Sequence, residues 1–422
     1  MLKRDHRFLS GLSRRHFLGG AAALAGLSVA PHRAQARPAE RKFLFFYAGG
    51  GWDTTTVLDP HFGSSGVDMD PDTYLGGNGI LNYTSGPDRP LVDRFFTRWG
   101  NRAAIVNGVD AHSVGHDSAQ QFVMTGTSAS SYADWPTIIA ANSTLEYPMP
   151  HVVFSGPSFP GTSASAVVRA GGGTLLELLD GSILGKSDSP TPRFAEPSDA
   201  MIDAFVYDRV GRFAAAKAGN GAERGESLRA NLERAMELEG RRFEAGLSDL
   251  GQSMVEQGIK AAELFRLGLS RCAMIGIDGG FDTHGDERQQ ILNQNPFFGA
   301  LDEIMDHLAS TPGHTTRYLI DEVVIVALSE FGRTPKFNGS GGKDHWPYGS
   351  ALVVGSGVAG GQSLGVTDEK LIAKPIDMST GREKSDGDML ACEHLGTALL
   401  KLGGLDPEYF LPGVQSLDAL IG

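Results

Sequence analysis

Asp282 and His284 stand two residues apart in "GGFDTHGD", just beyond the apolar run "CAMIGI". A carboxylate and an imidazole at that spacing can form one corner of a divalent-metal site, with the preceding glycines clearing room for the approach. Comparable residues follow other apolar runs. Asp53 comes after "FLFFYAGGG", His112, His116, Asp117 and Ser118 after "AAIVNGVDA", and Glu330 and Arg333 after "VVIVALS". Asp344 and His345 lie in the glycine loop "FNGSGGKDHWPYG", just ahead of the run "ALVVGSG". Imidazoles and carboxylates gathered on one edge are the ligand set of a site whose ions activate a nucleophile and shield an anionic group. Each residue also has a plainer reading. Asp53 can stabilise a turn, Ser118 can cap the helix-like "AQQFVM", and Asp282 with His284 can form a solvated loop. Glu330 is the hardest to explain away, because an unpaired carboxylate directly after a buried strand is costly.

Convergence requires elements that bring these positions together. The runs "KFLFFYA", "AAIVNGVD", "HVVFSGP", "CAMIGI", "EVVIVAL" and "ALVVGSG" are continuous rather than alternating, which predicts strands of a sheet covered on both faces. Helical stretches such as "QILNQNPFFGALDEIMDHLAS" and "HLGTALLKLGGLD" lie between or after them. That order predicts an α/β sandwich around a largely parallel sheet, and in such sheets ligands gather at the carboxyl ends of the strands. Residues from about 196 to 270 carry charge pairs at helical spacing and read as a helical insert. Residues 60–90 and 361–390, rich in Gly, Ser, Asp and Pro, read as long loops bordering the site.

The N-terminal "SRRHFLGGAAALAGLSVAPHRAQA" pairs Arg14 with Arg15 ahead of a Gly/Ala-rich apolar stretch and ends on Ala34-Gln35-Ala36. It resembles a twin-arginine export signal over residues 1–36, which implies a folded passenger, residues 37–422, that begins near Arg37 and works in the periplasm or outside the cell. At 422 residues and 41% hydrophobic the chain has enough apolar side chains for a sizeable core. No apolar run reaches the roughly 18 to 20 residues of a membrane-spanning helix. The formal charge of −13 becomes −18 once residues 1–36, with six Lys/Arg and one acid, are removed. So acidic a chain is a poor partner for nucleic acid or anionic lipid, and an anionic substrate needs a local basic patch. Arg333, Lys336 and Lys343 crowd one segment and are the candidates for it. Cys272 opens a strand-like run and Cys392 lies in a helix-like one; a disulfide is open to them, but their settings favour two buried thiols.

The runs "HDSAQQFVMTG" and "GGFDTHGD", and above all "ALSEFGRTPKFNGSGGKDHWPYGSALVVGSGVAGGQSLGVTDE", resemble the family catalogued as domain of unknown function 1501. That family is similar to the alkaline phosphatase and sulfatase superfamily. The resemblance implies an alkaline-phosphatase-like three-layer sandwich with one or two divalent ions: zinc, manganese, calcium or iron. It implies Asp53, Glu330 and His116 on one ion, and Asp282, His284 and His345 on the other. The superfamily has an aspartate followed by histidine where this chain has Glu330 and Phe331. The attacking group falls to Ser118, matched by the local "DSA", or to water activated by the metal. Relatives place the nucleophile at the start of a helix ending in Thr-Gly, here Thr125 and Gly126, and counting back the usual interval from them reaches His116. Arg333 is implied to steady the oxygens of an anionic substrate, a small molecule or a glycan. No "CxPSR" stretch is present, which disfavours a formylglycine-dependent sulfatase.

Two other enzyme classes fit poorly. Gly355, Gly357 and Gly360 satisfy G-x-G-x-x-G, but "GQSLGVTDEK" is a poor helix start, so no dinucleotide site is expected. No G-x-S-x-G elbow occurs either. The expected function is an exported metal-dependent hydrolase of phosphate or sulfate esters. Its rival is an exported, non-catalytic binding protein that keeps the phosphatase-like fold.

Overall fold

A computed structural model of the chain describes residues 38–170, 196–216, 219–241, 250–277 and 280–422. The export-signal reading of residues 1–36 falls outside them. Every apolar run singled out above is a strand: β1 Lys42–Ala48, β2 Ala103–Asp110, β3 His151–Val153, β5 Cys272–Ile277, β6 Val323–Leu328 and β7 Tyr348–Gly355. Two short strands, β4 Val167–Arg169 and β8 Gln362–Leu364, extend the edges. The eight strands run in the order β8-β2-β7-β6-β1-β5-β3-β4. All neighbours pair in parallel except β7, which is antiparallel to both β2 and β6.

The two faces of β1 show why the runs are continuously apolar. Leu44, Phe46 and Ala48 join one core cluster, while Phe43, Phe45 and Tyr47 join another on the opposite side. The first core is closed by helices α1 Pro90–Trp99, α6 Met254–Arg266 and α7 Arg288–Ser310, through Phe95, Phe265 and Phe298 among others. The second is closed by α2 His116–Thr125, α3 Trp135–Ala141 and α8 Cys392–Leu402, through Met124, Trp135 and Leu399. The architecture is the three-layer α/β sandwich that the sequence implied. Each fully buried Phe or Leu here stabilises the fold by about 1.5–3 kcal/mol of transfer free energy.

The segment read as a helical insert contains α4 Glu196–Ala216 and α5 Asn220–Arg241, which pack on each other. Its last helix, α6, begins at a capping box between Ser253 and Glu256 and lies on the sheet itself. Cys272 and Cys392 are both free and buried, as their settings favoured. Among the described residues no helix is long and apolar enough to cross a membrane.

The reversed strand decides where the site forms. β1, β2, β5 and β6 end on one edge of the sheet, and β7, running the other way, begins there. His345 and Trp346, just ahead of β7, pair with Gly332 and Arg333, just beyond β6. A histidine that precedes a strand is thereby placed beside residues that follow strands.

Candidate metal centre

His116 is the first residue of α2, with Gly115 as the N-cap. Its Nε2 lies 3.5 Å from Asp282 Oδ2. His345 Nε2 lies 3.3 Å from Asp282 Oδ1, and His284 Nε2 lies 3.1 Å from the same oxygen and 2.9 Å from His345 Nε2. Ligand atoms of His116, Asp282 and His345 all fall within 4.8 Å of one another, and His284 touches two of the three. These side chains are between 20% and 46% exposed, so the cluster opens to solvent at the sheet edge.

The outer nitrogens settle what the inner ones carry. His116 Nδ1 is 2.8 Å from Glu330 Oε1, His284 Nδ1 is 3.0 Å from Asp344 Oδ1, and His345 Nδ1 is 2.8 Å from the Val114 carbonyl oxygen. Carboxylates and carbonyls accept, so each Nδ1 donates. A neutral imidazole protonated at Nδ1 presents a lone pair at Nε2, and three such lone pairs face the Asp282 carboxylate. Bare, four acceptors at these separations repel; a divalent cation turns them into ligands. Orientation of each ring by an acceptor on its far nitrogen is the usual support of a metal-binding histidine.

Asp282 is held ionised. Burial pushes its carboxyl upward, but the Arg333 guanidinium, which donates to it at 2.9 Å, prevails and brings it down to about 2. Phe331, fully buried, lies behind the rings, with centroids 5.0 Å from His116 and 4.3 Å from His345. Where the superfamily resemblance called for another histidine, this aromatic wall fixes the angle of two of the imidazoles. Gly50 and Gly51 make the close approach possible. Both have positive φ; a Cβ on Gly50 would meet the Asp282 backbone nitrogen at 2.4 Å, and one on Gly51 the Phe331 ring at 2.3 Å. From α7, the buried Gln290 ties the strand ends together. It accepts from the Asp53 backbone N–H at 2.8 Å and donates to the Phe281 carbonyl and the Thr283 hydroxyl at 2.8 and 2.9 Å.

Three expected ligand or substrate groups are placed otherwise. Glu330 is not against the cluster's open side: Oε1 accepts from the Gly50 N–H at 2.7 Å as well as from His116, and Oε2 accepts from the Ser329 hydroxyl at 3.0 Å. It orients His116 from behind. Asp53 is taken by its own turn and by a lysine. Oδ1 accepts from the Thr55 N–H and hydroxyl at 2.8 Å each, and Oδ2 is 2.5 Å from Lys343 Nζ, with both partners about 1% exposed. No imidazole touches Asp53 among the described residues. Burial opposes the charge on Asp53, and the Lys343 ammonium overcomes it to lower the carboxyl. Arg333 is buried and spent on structure. Nε donates to the Gly51 carbonyl at 2.7 Å, Nη1 to the Lys343 carbonyl at 3.1 Å, and Nη2 to the Gly50 and Phe281 carbonyls and to Asp282.

The local basic patch therefore dissolves into internal pairs, since Lys336 also binds Asp68 at 2.8 Å. Ser118, the third residue of α2, is exposed, and among the described residues its hydroxyl makes no hydrogen bond to a base. Asp344, which the sequence placed beside His345 in the glycine loop but gave no role, supports His284 from outside. Asn338 holds it, donating to Asp344 Oδ1 at 3.0 Å and to the His284 carbonyl at 2.9 Å.

Three imidazoles and a carboxylate suit a first-row ion such as zinc, manganese or iron, whereas calcium takes oxygen ligands.

No curated protein is significantly similar in sequence. Among solved structures, a protein in the alkaline phosphatase superfamily from Vibrio parahaemolyticus matches at a TM-score of 0.37 and 12% identity, over 90% of this chain and 70% of that one. A protein from Pyrococcus horikoshii matches at a TM-score of 0.30 and 10% identity, over 75% and 88%. Ps i-CgsB, in complex with k-i-k-neocarrahexaose, matches at 0.36 and 7%, over 90% and 75%. A family profile matches residues 100–415, a span that includes His116, Asp282, His284, Glu330 and His345 but not Asp53. Since that span is well over half of the chain, the protein belongs to the family described as protein of unknown function (DUF1501).

Proposed function

We propose that this protein is an exported metal-dependent hydrolase of phosphate or sulfate esters, built around a single ion held by His116, Asp282, His284 and His345. The observation that carries the reading is the convergence of three Nε2 lone pairs on one carboxylate, each ring fixed by an acceptor on its Nδ1. When bound, the ion would supply Lewis-acid polarisation of an ester oxygen and of water. Glu330, Asp344 and the Val114 carbonyl keep the ring protons on the far side of the site. Arg333 keeps Asp282 ionised and aimed inward. Phe331 keeps water from the back of His116 and His345. Ser118 lacks a partner to take its proton, so water is the better attacking group in this reading. Export through the twin-arginine route is part of the same proposal and is supported by Arg14, Arg15 and the stretch that follows them.

A specific observation favours a second reading. Arg333 and Lys343 are paired in the interior and Lys336 is paired with Asp68 at the surface, so that among the described residues none of these three is a free cation beside the cluster to balance an anionic substrate. A protein that binds a metal and a glycan or protein without turnover fits that charge balance.

Elemental analysis of the chelator-free protein beside an Asp282→Ala/His284→Ala variant comes first. Near-stoichiometric zinc, manganese or iron that drops in the variant is expected. Turnover of 4-nitrophenyl phosphate or 4-nitrophenyl sulfate by the loaded protein then separates the two readings. Metal in neither protein rejects both the site and the hydrolase.

A further inference from the structure

On its way from β2 to His116 the chain passes another histidine. His112 holds φ at +57°, a conformation few non-glycine residues adopt, and its backbone N–H donates to Asp110 Oδ1 at 2.8 Å. The ring is thereby turned toward the start of α8. Its Nε2 lies 2.9 Å from Glu393 Oε2, and its Nδ1 lies 3.7 Å from Asp110 Oδ2. Cys392, the first residue of α8, sets its Sγ 3.4 Å from the same Glu393 oxygen. The imidazole nitrogen, the thiol sulfur and the carboxylate oxygen all lie within 4.8 Å of one another. The sulfur is buried, while the His112 and Glu393 side chains are 35% and 21% exposed. The cluster has a dry floor and a solvent-facing rim.

Its dimensions match a tetrahedral ion. Zinc bonds of 2.3 Å to sulfur and 2.0–2.1 Å to nitrogen or oxygen put sulfur and oxygen ligands about 3.5 Å apart, and nitrogen and oxygen about 3.3 Å apart. The observed 3.4 and 2.9 Å need only small adjustment. In the metal-free cluster His112 Nε2 donates to Glu393 Oε2, and an ion at Nε2 would move that proton to Nδ1, which faces Asp110 at 3.7 Å. None of these groups belongs to the His116–Asp282–His345 centre.

We propose that His112, Cys392 and Glu393 form a second metal site, selective for zinc or a zinc-like ion and with its fourth position open to solvent. Burial, with the neighbouring Glu393 charge, holds the thiol well above the usual range, so it stays protonated without metal. Binding replaces the S–H bond by a sulfur–metal bond and releases that proton to solvent.

Cobalt(II) tests this on the full, metal-stripped chain, because a cobalt–thiolate bond gives a near-ultraviolet charge-transfer absorption that imidazole and carboxylate ligands do not. The expected result is a band that reaches its plateau by two equivalents of cobalt, one for each centre, disappears in Cys392→Ser, and survives in His345→Ala and Cys272→Ser. A His112→Ala variant, which leaves the buried thiol in place, should shift the band's midpoint at least tenfold. Cobalt bound by the wild type without the band, a band that survives Cys392→Ser in a protein of native circular dichroism, or an unmoved midpoint in His112→Ala would each overturn the proposal.

Discussion

Replacing Glu330 with Gln tests the claim that this residue serves the centre from behind. Glu330 Oε1 accepts from His116 Nδ1 and the Gly50 N–H, and Oε2 accepts from the Ser329 hydroxyl. Ser329 Oγ already accepts from the Gly51 and Trp52 N–H groups at 3.1 Å each. An amide placed at the ε2 position therefore finds no free lone pair on Ser329, and placed at ε1 it faces two donors. Either orientation leaves a buried N–H group unsatisfied, at a cost of about 1–3 kcal/mol in folding stability. Loss of the carboxylate behind His116 should also weaken metal binding about 10- to 100-fold, the usual cost of removing an outer partner of a ligating histidine. Chelator competition on the full protein measures the affinity, and thermal melting under the same buffer measures the stability. A Glu330→Gln protein that melts lower but binds metal as tightly as wild type would refute the orienting role and leave Glu330 as a structural carboxylate.

Other perturbations follow from the same geometry. Gly50→Ala, with φ at +117° and a Cβ 2.4 Å from the Asp282 nitrogen, should destabilise by more than about 1 kcal/mol and lower metal content; unchanged melting and metal would contradict the close approach. Lys343→Met strands the buried Asp53 charge and should cost about 3–5 kcal/mol in denaturant unfolding, whereas Lys343→Met/Asp53→Asn should recover most of it. The pH dependence has a defined sign. Burial, with a smaller push from Arg169, lowers His151 to about 3, so the native state resists a proton that the unfolded chain accepts below about 6.5. Its contribution is full above pH 6.5 and is lost as pH falls toward 3, amounting to about 2 kcal/mol between pH 7 and 5. Asp134, raised to about 6 by burial, works in the opposite sense, so the effect is read as the difference between wild type and His151→Leu in urea unfolding at the two pH values. Equal acid sensitivity of the two proteins would contradict it.

The strands were legible because burial on both faces leaves a continuous apolar run, as in "KFLFFYA" and "EVVIVAL". The gathering of His116, Asp282, His284 and His345 was legible for a related reason, since each lies beside a strand end and the edge of a parallel sheet collects such residues. The distribution of roles was not. Asp53 and Lys343 are 290 positions apart, and nothing local marks either as the other's partner. Arg333 sits in a segment with two lysines and reads as part of a basic surface, yet the carbonyls that absorb its donors come from Gly50, Gly51, Phe281 and Lys343. Glu330 was correctly marked by the cost of its burial, but that cost is met by donors rather than by an ion. Such choices depend on three-dimensional neighbours, which one-dimensional spacing does not carry.

The reversed strand also fixes the order in which the centre can come into being. His116, Asp282 and His284 leave the ribosome well before His345, and His345 reaches them only once β7 has inserted between β2 and β6. No short piece of the chain holds the full ligand set, so an ion has little to grip in a partly folded intermediate. Uptake of the proposed ion would follow closure of the sheet and then reinforce it by mass action, about 2.7 kcal/mol at a free ion concentration a hundredfold above the dissociation constant. Under the proposed metal binding, loading would report that the topology is complete, and under the proposed export of a folded chain it would precede translocation.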